Sequence, residues 1–97
     1  MQLPHSQDNL IPGLYFYFPP DEAQPVELIT IRSHSKVFLR SLGDWIKHPR
    51  TSEVLANLPE LVIFGDETQA AYDLVDLAER ENRTIDPSEL QRFVKFF

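Results

Sequence analysis

Asp66 and Glu67 are adjacent acids that follow the apolar run Leu61–Phe64. The end of a buried strand is where open α/β sheets often hold their ligands. Two carboxylates placed there could hold Mg²⁺ or act as a general base. Spacing supplies no third acid, however, and helix chemistry accounts for both residues. Asp66 with Gln69 forms a capping box, and Glu67 complements the positive end of the helix dipole. The three histidines, His5, His34 and His48, stand in neither an H-x-x-x-H nor an H-E-x-x-H pattern, and there is no cysteine to complete a zinc site. Ser33-His34-Ser35 places hydroxyls beside an imidazole, but sequence neighbours rarely reach triad geometry; serines there suit a helix entry. Glycines at 13, 43 and 65 are too scattered for a phosphate loop. No catalytic, metal or cofactor signature emerges, so the expectation is a protein that is not an enzyme.

Residue types suited to contact are better represented. In Leu14-Tyr15-Phe16-Tyr17-Phe18, alternation sends Leu14, Phe16 and Phe18 into a core and leaves Tyr15 and Tyr17 at the surface. Amphipathic tyrosine rings suit protein interfaces. Lys36, Arg40 and Lys47, at helical spacing, would share the outer face of a basic helix. The closing Phe93-Val94-Lys95-Phe96-Phe97 has more aromatic surface than a small domain can bury, which makes Phe96 and Phe97 candidates for contact with a partner or a second copy.

Charge sharpens this view. Residues 1–50 carry five acids against five Lys and Arg, whereas residues 51–97 carry ten against four, so the second half holds the entire net charge of −6. Divided charge favours oriented protein–protein contact. A pI near 4.9 argues against non-specific binding to duplex DNA or anionic membrane. The leading expectation is a small acidic interaction module, a regulator, inhibitor or accessory subunit of the bacterial or phage kind, docking on a partner protein or on a second copy as a homodimer. The alternative is a nucleic-acid-associated protein using Arg32, Lys36, Arg40, Lys47 and Arg50 on phosphates and the tyrosines on bases, or an acidic mimic of nucleic acid.

The elements that must position these residues follow from pattern. Residues 1–12 are polar with two prolines and read as a flexible leader without a signal-peptide pattern; residues 13–97 read as one domain. The longest apolar run is far too short to span a bilayer, and a chain without cysteine fits the cytoplasm. Strands are expected at 14–18 and 26–32, joined as a hairpin across the proline-rich 19–25. Phe38, Leu42, Trp45 and Ile46 predict a helix over 35–47, and a short one follows at 52–58. A third strand, 61–64, precedes helices at 66–82 and 86–97, the latter opened by Asp86-Pro87-Ser88-Glu89. The order is β-β-α-α-β-α-α. It implies an α+β fold with a three-stranded mixed sheet, three to four helices, a right-handed crossover making the second and third strands parallel, and the first strand at an open edge. Asp76–Arg80 and Glu79–Arg83 are expected as i, i+4 ion pairs on the 66–82 helix.

Overall fold

The computed structural model describes residues 11–94. Within them the fold is mixed α+β: five antiparallel strands form one sheet, with helices on both faces. The strands are β1 (Gly13–Tyr17), β2 (Glu27–Ser33), β3 (Lys36–Ser41), β4 (Asp44–Lys47) and β5 (Leu61–Ile63), in spatial order β4-β3-β2-β1-β5. Helix α1 (Thr51–Ala56) lies between β4 and β5 in sequence, and α2 (Thr68–Arg80) follows β5 after a 3-10 turn at Gly65–Glu67. A 3-10 helix, Pro87–Phe93, closes the described chain.

The helix expected over 35–47 is instead the β3–β4 hairpin. Leu42 and Gly43 both take positive φ, 52° and 78°, as the central pair of a type I′ turn does, and Ser41 pairs with Asp44 across it. The helical stripe held together only by counting Leu42, and that side chain is 86% exposed. Gly43 was the informative residue: x-Gly between alternating segments marks a hairpin more strongly than it marks a close helix contact.

The sheet therefore has five strands rather than three, and it is antiparallel rather than mixed. β5 runs in the direction of β2, but β1 lies between them and pairs antiparallel with both. The first strand is internal, not an edge. Its neighbours explain its composition, because a strand covered on both faces reads as a continuous apolar run. On one face Phe16, Leu28 and Ile63 pack against Ala71, Val75 and Ala78 of α2, sealed by Ile85, Leu90 and Phe93. The Phe16 and Phe93 rings meet edge to face, 5.0 Å between centroids. On the other face Tyr15, Tyr17, Ile29, Ile31 and Val37 pack under Val54 of α1. Phe18, expected in the core, lies beyond the strand and is exposed.

The two capping signals had different outcomes. Asp86 accepts from the Ser88 N–H while Glu89 reaches back to the Asp86 N–H, completing the expected box on a 3-10 rather than an α-helix. At Asp66 the box does not form. The 3-10 turn moves the start of α2 to Thr68, the N-cap becomes Glu67, and Gln69 donates to Asp73 instead. Much of the leader expected over residues 1–12 lies outside the described residues. Among the described residues no helix is long and apolar enough to cross a membrane.

Candidate functional site

The tyrosines expected at the surface are buried, Tyr15 7% exposed and Tyr17 1%. Their hydroxyls nevertheless find acceptors at the margin of the core. Tyr15 donates to the Ile11 carbonyl, and Tyr17 donates to Glu53 Oε2 at 3.0 Å. Burial and the Glu53 carboxylate push the Tyr17 phenol up to about 12. Neither ring faces outward as an anchor. Phe96 and Phe97 lie outside the described residues.

Tyr17 belongs to a polar cluster that joins four elements. His48, 3% exposed, places Nε2 2.7 Å from Glu27 Oε1, while its Nδ1 accepts from the Arg50 N–H at 2.9 Å. An accepting Nδ1 leaves the ring hydrogen on Nε2, donated to Glu27. Arg50 then bridges Glu27 and Glu53 through Nη2 and Nε, at 2.5 and 3.4 Å. His48 thus has both ring nitrogens engaged and its side chain out of solvent. Its geometry fits a fastener between the ends of β1, β2 and β4 and the start of α1, not a group that meets a substrate.

The sequence placed Lys36, Arg40 and Lys47 on one face, and the hairpin does so by different means. Strand alternation aligns Lys36, Phe38 and Arg40. The two-residue turn then sets Trp45 opposite Arg40 and Lys47 opposite Phe38. All five point to the α2 face, where Trp45 and Tyr72 of α2 meet edge to face at 6.1 Å. The three cations are not equivalent. Arg40 Nε and Nη2 reach both oxygens of Asp76 on α2, at 3.3 and 3.2 Å, and its guanidinium lies 4.8 Å from the Tyr72 ring centre and 5.6 Å from that of Trp45. Its charge is committed internally. Lys47 Nζ meets, among the described residues, only the Ser35 carbonyl, at 3.2 Å. Among the described residues neither Arg32 nor Lys36 forms an ion pair.

Helix α2 uses two of its acids, Asp76 and Glu79, on the hairpin. Asp76 takes Arg40 instead of Arg80, and both oxygens of Glu79 accept from the Leu42 N–H, at 3.0 and 3.1 Å. Arg83 turns to Glu81 and Glu89. The expected i, i+4 pairs are therefore replaced by other partners, from two to thirty-seven residues away in sequence. Beside this clasp, Leu42 and Leu77 line a groove of about 580 Å³ together with Asp73, Asp76, Glu79 and Arg80. A second cleft, of about 460 Å³, opens toward the other end of the hairpin between Leu14, Thr30, Arg32, Phe38, Trp45, Thr68 and Tyr72. A third cavity, of about 620 Å³, lies beside β5 under Phe18, Phe64 and Val94. Among the described residues its lining has no cation and Glu60 as its sole carboxylate, so that part offers little for directed recognition.

Asp66 is exposed, and Glu67 binds Arg92 at 3.0 Å. Among the described residues no three metal-ligating side chains converge. Sequence reasoning missed Phe38, Trp45 and Tyr72 as surface-forming aromatics, and Leu42 as an exposed one. The signal was present in the β-favouring Val37-Phe38-Leu39 and Trp45-Ile46 runs on either side of x-Gly. In comparisons with protein-family models, curated proteins and solved structures, the chain matches none.

Proposed function

We propose that this chain is a non-enzymatic docking module that binds another protein through the tip of its β3–β4 hairpin. Leu42 carries the argument. It takes a left-handed conformation that costs a branched side chain roughly 1 kcal/mol or more, where Asn or Gly would fit without strain. It also leaves an aliphatic side chain almost wholly in water. Neither feature helps the fold, and local rules broken without a folding gain tend to mark function. Glu79 holds the strained backbone in place, so the exposed side chain is presented rather than merely tolerated.

The groove also favours a kind of partner. Leu42 and Leu77 offer apolar contact, and with Asp76 committed to Arg40 the carboxylates of Asp73 and Glu79 still outnumber Arg80. An apolar residue flanked by Lys or Arg on the partner would match both. Pairing of two copies through this groove would bring like-signed rims together, which disfavours self-association there. Tyr15 and Tyr17 have no part in this interface.

A photo-crosslinking residue at position 42, introduced in the native host, tests the proposal. One dominant cross-linked protein is expected, and its purified form should lose at least about tenfold in affinity for Leu42→Asn, as for a central interface anchor. Cross-linking no more selective than from exposed Ser88, or an unchanged affinity, would overturn it.

A further inference from the structure

The cleft at the opposite end of the hairpin has different chemistry, and it carries a second inference independent of the docking reading. Its floor is a cross-strand row, Leu14, Thr30 and Phe38, with Lys47 completing the row at the β4 edge. Trp45 and Tyr72 form one wall, held by the Arg40–Asp76 pair. One cation lines the cleft beside Phe38, and strand register places two more on the same sheet face at its edge. Arg32 lines the cleft, Lys36 precedes Phe38 by two residues on the same face, and Lys47 stands directly opposite it. No carboxylate lines this cleft among the described residues, although the chain as a whole is acidic.

Positive groups gathered around aromatic faces, in a protein with a surplus of acids, are not accounted for by solubility or by packing. Aromatic faces accept a planar base, and cations without carboxylate partners accept phosphate. A volume of about 460 Å³ falls within the range of small-ligand sites. We infer that the cleft binds a nucleotide unit, with its base against Phe38 and the Trp45–Tyr72 wall and its phosphate on Arg32, Lys36 and Lys47. The unit could be free or part of a single strand, since the local chemistry is the same.

Trp45 is the only tryptophan of the chain and belongs to the proposed site, so its fluorescence reports occupancy directly. The full-length protein is titrated with AMP and, separately, with a short single-stranded oligoadenylate. Inorganic phosphate and adenosine serve as half-ligands. Saturable quenching by AMP is expected. It should weaken at least about tenfold in Arg32→Ala/Lys36→Ala and in Phe38→Leu, the loss typical of one phosphate cluster or one stacking surface. Oligoadenylate binding much more tightly than AMP would assign the site to strands; equal affinity would assign it to free nucleotides. Leu42→Asn should titrate like the parent, so failure of the docking proposal leaves this one standing. The inference falls if neither ligand gives a saturable change below about 1 mM, the weak end of ordinary affinity. It also falls if phosphate alone binds as well as AMP, or if the Arg32/Lys36 double variant binds unchanged.

Discussion

Two groups of charged residues lie only a few residues apart in sequence and behave in opposite ways. Around His48 the charged groups are paired with one another: Glu27 takes the imidazole and Arg50, Glu53 takes Arg50 and the Tyr17 hydroxyl, and the Arg50 N–H closes on Nδ1. Around Phe38, Arg32 and Lys36 form no ion pair among the described residues, and Lys47 touches only a carbonyl. The first group is built on the buried His48 and Tyr17, and burial demands satisfaction. The second is exposed, and its charges remain available. A histidine among carboxylates looks like chemistry in the sequence yet serves the fold here, whereas scattered surface cations turn out to border a shaped cleft.

The contrast can be tested first by destabilisation. His48→Ala removes both a donor to Glu27 and an acceptor for the Arg50 N–H, leaving a largely buried carboxylate short of a partner. It should cost about 3 kcal/mol in denaturant unfolding. Arg32→Ala with Lys36→Ala should stay within about 0.5 kcal/mol, as exposed substitutions do. Equal losses from the two sets would erase the distinction.

The next effect is smaller and depends on pH. The Tyr17 phenol ionises higher in the folded chain than its ordinary value of 10.0. Its contribution is therefore complete below about pH 10 and is lost as pH rises toward about 12, because the unfolded chain ionises first. Tyr17→Phe should flatten that alkaline limb and cost about 1 kcal/mol at neutral pH, for one hydrogen bond to a carboxylate. An alkaline limb identical to that of the parent would separate Tyr17 from the cluster.

The smallest effect should be a gain. Leu42→Asn relieves a left-handed leucine and should raise stability by about 0.5 kcal/mol, read as a modest increase in Tm. A loss of stability would mean that Leu42 supports the fold, and the argument for docking would lose its basis.

The elements legible in the sequence were those whose signals are local and agree with one another. β1, β2 and β5 carry β-favouring runs between Gly and Pro, and α2 carries an apolar stripe. The capping box at Asp86 and Glu89 formed as read. The β3–β4 hairpin was hidden because Phe38, Trp45 and Ile46 satisfy a helical period once a strained, exposed Leu42 is counted among them. That one error also displaced β1 to an edge and sent Tyr15 and Tyr17 outward, since the missing strands and α1 are what enclose them. The cation group survived the error: positions 36 and 40 share a face at either period, and the two-residue turn returns 47 to it. The aromatic half of the cleft did not survive, because Tyr72 reaches Trp45 only through tertiary packing between distant segments.

The clasp between α2 and the hairpin has a consequence for how the chain is made. A ribosome releases the whole β3–β4 unit well before it synthesises Asp76 and Glu79, the residues that grip Arg40 and the Leu42 amide. β1 likewise waits for β5 to complete its second ladder. Until then the nascent sheet has two unfinished sides and a strained turn with nothing to hold it, so native structure should appear late and in a single step as the C-terminal half emerges.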